Sequence, residues 1–152
     1  MKASKKLLLS LLALLLITAS TFARTENGEF DNVSKDKYPA IEANLMVGLQ
    51  SDNEGLRISS AYYLGELKSK NAVHQLMKIL REDESYPSRI VAALSLIKID
   101  DPQGIYMVQR TSQFNTQEGV RKMSERFYLS YLLKKYIEEN PGKGKYLAYI
   151  KF

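Results

Sequence analysis

The chain offers few groups that could perform chemistry: one histidine, His74, no cysteine, and two short runs of carboxylates. A site built from nitrogen and sulfur donors needs several such residues converging on one metal ion, and one histidine without cysteine does not supply them. His74 is followed by Gln75 rather than an acid, and no serine or cysteine nucleophile with a base and an orienting acid can be assembled around it. Glu82, Asp83 and Glu84, and again Glu138 and Glu139, could provide the two carboxyls ~5–9 Å apart that glycoside hydrolysis requires. They fall in a charged break and at a helix end, where solvated charge is the expected state. Gly142-Lys143-Gly144-Lys145 follows no strand and lacks the spacing of a phosphate-binding loop. The sequence therefore assigns no catalytic residue, metal ligand or cofactor site.

Binding chemistry is better represented. Arg57, Arg89 and Arg121 stand 32 residues apart, each beside an apolar run. Such a row could line an anion-binding surface, or each stem could lie in a groove between helices while its head meets acids or carbonyls in the turns; the packing role is the favoured one. Ten tyrosines and no tryptophan stand out in the composition. Tyr62 and Tyr63 are adjacent, so one helix face cannot take both. Tyr63 is expected near the Ser60, Leu64 and Leu67 stripe, with Tyr62 on the other side above Ile58. Tyrosine offers a large contact area with a polar tip, which makes Tyr62, together with Arg57, Arg89 and Arg121, the candidate partner-binding set.

The elements that must position these residues begin after a leader. MKASKK is basic, residues 7–19 are almost unbroken apolar, and Thr21 and Ala23 are small residues at the −3 and −1 positions of a cleavage site. That order predicts a secretory signal over residues 1–23; the apolar run is short of the ~20 residues of a membrane span. Loss of Lys2, Lys5 and Lys6 would leave 19 basic residues of the 22, against 17 acidic ones. The net charge then falls from +5 to +2, so support for a nucleic-acid partner disappears with the leader. Without cysteine an exported product has no disulfides and no lipid attachment at that residue. The expected protein is soluble, without a lasting membrane anchor, and periplasmic or secreted, from a leader that suits bacterial export.

Residues 24–37 are polar and predict a flexible start. From Tyr38 the apolar spacing is helical. Helices are expected from Tyr38 to about Gln50, from Asp52 or Asn53 through Leu67 behind a Ser51-x-x-Glu54 capping box, and from Ser69 to the charged break REDESYP. Three more are expected: from Pro87 to Ile99, from Asp101-Pro102 to about Gln113, and from Asn115 or Thr116 to Glu139, stopped by Asn140-Pro141-Gly142.

Shifting the sequence by 32 residues superimposes Ser60, Ala92 and Ser124, then Leu64, Leu96 and Tyr128, then Leu67, Ile99 and Tyr131. The fold expected is all-α, an α-solenoid of about three helical hairpins with a 32-residue period, because one such hairpin cannot bury its apolar face alone. Ile90 to Ile97 is apolar nearly all round, as for a helix covered on both sides, while Lys122, Glu125 and Arg126 make the third copy polar, as at the end of an array.

Arg57-x-x-Ser-Ala-x-x-Leu64-Gly65-x-Leu67, with Ala72-Val73-x-x-Leu76 and the turn Asp100-Asp-Pro-Gln-Gly-Ile105, resembles the short HEAT-like repeats also found in bilin lyases. The resemblance spans about residues 38–138, with Glu125 and the missing Leu-Gly pair as departures in the third copy. It implies a non-catalytic protein-binding or scaffolding module; its alternatives are an enzyme or cofactor-handling protein of the bilin-lyase type, or an inhibitor or assembly factor of an envelope complex. Residues 139–152 end in Tyr146, Leu147, Tyr149, Ile150 and Phe152, too apolar for a free tail; they are expected to cap the array or to meet a partner.

Overall fold

The computed structural model describes Phe30 and residues 33–141. The chain divides into two units, residues 1–31 and 32–152, and the fold below is that of the second. The leader expected at 1–23 and most of the 139–152 tail lie outside the described residues. Of the segment 24–37, the described part forms one 3-10 turn, Lys35–Lys37.

Six α-helices follow, and no strand occurs among the described residues: α1 (Tyr38–Gly48), α2 (Glu54–Glu66), α3 (Val73–Glu82), α4 (Tyr86–Ile99), α5 (Pro102–Phe114) and α6 (Glu118–Glu139). The starts of α2, α4 and α5 are set by side chains that accept otherwise unpaired backbone donors. Ser85 accepts from the Ser88 amide at 3.1 Å, and Pro87 occupies the first turn of α4, where its missing donor is not needed. Asp101 accepts from Gln103 at 2.9 Å ahead of Pro102. Three caps differ from expectation. The residue before α6 is Gln117, without a side-chain cap bond, while Asn115, expected to open that helix, accepts from the Gln117 amide at 3.0 Å. Asn53, not Ser51, caps α2, accepting from Leu56 at 3.0 Å; Ser51 instead accepts from the Asn53 amide, and Glu54 bonds Ser85 across the turn rather than closing a capping box. Ser69 caps a 3-10 turn, Lys70–Ala72, and α3 begins only at Val73.

Two helices end on left-handed residues other than glycine. Lys68 has φ 51° just after α2, and Asp100 has φ 59° at the end of α4. Aspartate enters that region several-fold more readily than lysine, because its short polar group can bond locally.

The helices pack as α1 on α2, α3 on α4 and α5 on α6, with α2 against α4 and α4 against α6; α3 and α5 also touch. The centrally packed helix is α4, where Ala92, Ala93, Ser95 and Leu96 have lost essentially all contact with solvent. Leu64, Leu76, Leu80, Val108 and Val120 complete the buried centre. Burying one such side chain stabilises by ~1.5–3 kcal/mol, against ~0–1 for a surface ion pair, so these joints outweigh the charges around them.

Backbones approach closely where small residues meet. A Cβ on Gly65 of α2 would lie 2.8 Å from Cβ and 2.9 Å from Cα of Ser95 on α4. The Ser95 hydroxyl donates to the Ala61 carbonyl at 2.7 Å, a direct link between the two helices. Ser60, Ala92 and Ser124 are all buried.

Candidate recognition surface

The three arginines turn their heads toward helix ends: Arg57 and Arg121 toward the turns that open their own helices, and Arg89 toward the last turn of α3 and the start of α6. Arg57 donates from Nη1 to the carbonyls of Ser51 (2.9 Å) and Asp52 (3.1 Å), and its Nε and Nη2 grip both oxygens of Asp83, at 3.0 and 3.2 Å. Asp83 is held further by the Ser85 amide at 2.8 Å. Its side chain is 10% exposed, so this loop acid is not the solvated charge expected of the Glu82–Glu84 run. Arg89 donates to the Leu80 carbonyl at 2.9 Å and to Gln117 Oε1 at 3.0 Å, while Arg121 donates to the Asn115 carbonyl at 3.2 Å. All three stems are half-buried. A guanidinium suits this place because its planar fork satisfies several fixed acceptors at once.

Tyr62 is also engaged within the fold. It is half-buried between α2 and α4, its ring faces the Lys98 ammonium at 4.4 Å, and its hydroxyl joins Lys98 on the Glu66 carboxylate. Burial opposes ionisation of Glu66, but the bonds from Lys98 and Tyr62 outweigh it and hold the carboxyl below its ordinary range. A second cluster of the same kind joins α4 to α6. Lys135 Nζ lies 2.8 Å from Asp100 Oδ2 and 5.6 Å from the Tyr131 ring centre, and Tyr131 bonds the same carboxylate. Lys135 lowers Asp100 and is itself raised; burial, then the Asp100 bond, raises the Tyr131 hydroxyl. The clusters flank a cleft of about 360 Å³ that also takes in Lys68 and Lys134.

Tyr63 corrects the expectation drawn from sequence: it is 37% exposed, not part of the buried stripe. The buried residues of α2 are Ser60, Ala61, Leu64 and Gly65. At 3.6 residues per turn Tyr63 and Tyr62 border this sector on opposite sides, about 60° from Ser60 and from Gly65 respectively, and only the Tyr62 side is covered by Lys98 of α4. Leu67, expected inside, is half-buried beyond the last turn of α2.

His74 is exposed, as expected of a variable surface position. Among the described residues no group of three or more His, Asp or Glu side chains could hold a metal ion.

An exposed aromatic row lies elsewhere. On α5, Tyr106 and Phe114 are 58% and 66% exposed, with exposed Arg110 between them and its guanidinium 4.8 Å from the Phe114 ring centre. The spacing 106, 110, 114 places the three in a row along one face. Buried Val108 and Thr111 hold the opposite side of α5 to the body. Sequence reasoning missed this ridge; its signal was an aromatic, an arginine and an aromatic at every fourth position of a helix whose apolar residues point the other way. Neither a family model nor a curated protein sequence matches this chain.

Proposed function

We propose that this chain is a non-catalytic protein-binding module of the cell envelope or extracellular space, built as a short HEAT-like α-solenoid with a 32-residue period and exported behind residues 1–23. The succession α2 on α4 on α6, with α1, α3 and α5 as their hairpin partners, supports the array. The Tyr106–Arg110–Phe114 ridge carries the recognition reading. Aromatic and arginine side chains dominate the energetics of protein interfaces, because each brings a large area at modest entropic cost. Helix α5 presents these three outward, with Arg110 over the Phe114 ring rather than bonded into a turn. Arg57, Arg89, Arg121 and Tyr62 act in this reading as joints that hold the curvature of the array.

The test is reconstitution of the purified chain with a protein captured from the envelope fraction of its native host. Tyr106→Ala with Phe114→Ala should weaken the purified complex by ~30-fold or more, the scale of an interface hot spot, at unchanged melting temperature. Binding that survives this double change but is lost in Arg57→Ala, without loss of stability, would move recognition to the arginine row. A tightly bound chromophore or turnover of a sugar substrate would overturn the module itself.

A further inference from the structure

The C-terminal half of α6 presents an apolar face that the described residues leave open. Leu129, Leu133 and Ile137 recur at every fourth position along a groove of about 790 Å³. Leu129, Leu132 and Tyr136 are 55%, 44% and 43% exposed, and the buried residues of this 22-residue helix, Val120 and Ser124, both lie in its first third.

We propose that the occupant of this face is the chain's own segment 143–152, KGKYLAYIKF, folded back along α6. Reach permits it. From Leu129 to Glu139 the helix rises ~15 Å, and ten residues span the same ~15 Å as a helix or up to ~33 Å extended. The intervening Asn140-Pro141-Gly142 is suited to a reversal, since Pro141 cannot continue α6 and Gly142 accepts turn conformations closed to other residues. Tyr146, Leu147 and Ile150 lie within one helical turn of each other and offer apolar bodies to the groove. Charge agrees in register: Lys143 and Lys145, with no acid in the segment, come first after the reversal, and the end of α6 beside them carries exposed Glu138 and Glu139.

Size decides between this occupant and a second copy or a separate protein. Three half-exposed large side chains amount to apolar surface on the order of 300 Å², against about 450 Å² of apolar surface per partner in a standard stable interface between free chains. A tethered segment needs far less, because a short linker holds it at an effective concentration in the millimolar range. The segment thus closes the polar third copy of the fold and keeps the α6 face out of recognition by α5.

Hydrogen exchange on the full chain tests this. Amides of residues 129–137 should exchange about tenfold or more faster when the chain stops at Pro141. Leu147→Asp with Ile150→Asp should have the same effect, whereas Ile150→Leu should preserve protection. Because the chain has no cysteine, Leu133→Cys with Ile150→Cys should form a disulfide within one chain under mild oxidation, independently of protein concentration. Unchanged exchange in both tail variants overturns the proposal. So does protection that rises with protein concentration, which would assign the face to a second copy, or protection lost only on removing residues 7–19, which would assign it to the leader. None of these outcomes bears on binding by Tyr106 and Phe114, so the two proposals fail separately.

Discussion

Replacing Gly65 by alanine probes the tightest joint in the molecule. The new methyl would sit 2.8 Å from Cβ and Oγ of Ser95 and 2.9 Å from its Cα. The Cα cannot swing aside, so α2 and α4 must part. Parting them strains the 2.7 Å bond from Ser95 to the Ala61 carbonyl one turn away. Overpacking a tight core costs ~1–3 kcal/mol, and a weakened hydrogen bond adds ~0.5–1.5 kcal/mol. Alanine recovers ~1 kcal/mol of helix propensity over glycine. The balance is a loss of about 1–3 kcal/mol, which for a domain of this size lowers the melting temperature by about 5–15 °C. Gly119→Ala is the control. Its methyl would come even closer to a neighbour, 2.6 Å from Tyr86 Cε2, but Tyr86 is 40% exposed and its ring can turn into solvent. Calorimetry on both variants should find Gly119→Ala within a few degrees of the parent. A Gly65→Ala variant that melts at or above the parent temperature would refute the close approach of α2 and α4.

Buried hydroxyls should separate by whether they have a partner. Ser124 Oγ and Ser60 Oγ have no hydrogen-bond partner among the described residues, so Ser124→Ala should raise stability by ~1 kcal/mol in denaturant unfolding, whereas Ser95→Ala should lower it by a similar amount. Arg89→Ala loses the bonds to the Leu80 carbonyl and Gln117 and should lower stability by ~1–3 kcal/mol while leaving complex formation intact; binding lost at unchanged stability would reverse the assignment of the arginines as joints. Acid should weaken the fold in part through Glu66 and Asp100. Both carboxyls are lowered in the folded state, so their stabilisation is present above the ordinary values of 4.5 and 3.8 and is lost as pH falls through the lowered ones. Melting temperature should therefore fall below about pH 4.5, and fall less in Glu66→Gln with Asp100→Asn; equal slopes would deny the two clusters this role.

Helix positions were legible because their signals are local. Apolar spacing, Asp101 before Pro102 and the stop at Asn140-Pro141 act within one turn of chain, and α4, α5 and α6 start and stop within three residues of expectation. Where two local signals competed, tertiary contacts chose. Ser51 and Glu54 had the spacing of a capping box, yet Glu54 bonds Ser85 some 31 residues away and Asn53 takes the cap. The outward placement of Tyr63 was not legible, since periodicity defines a buried stripe only to within the width of the neighbouring helix, and α4 seats itself on Ala61 and Gly65.

The α5 ridge shows the same division. Its residue types and fourfold spacing are written in the chain, but an aromatic at a helical position reads equally as core or surface until the neighbours are placed. Composition and spacing alone settle that the described chain is helical and that no cysteine chemistry operates, because these depend on residue type and on interactions within a few positions. Which side chains are consumed by the joints and which stand free depends on contacts between residues some 30 apart, such as Arg57 with Asp83 and Lys98 with Glu66. Those distances close only when the helices pack, and packing is what turns Arg57 and Tyr62 inward and leaves Tyr106, Arg110 and Phe114 facing the solvent.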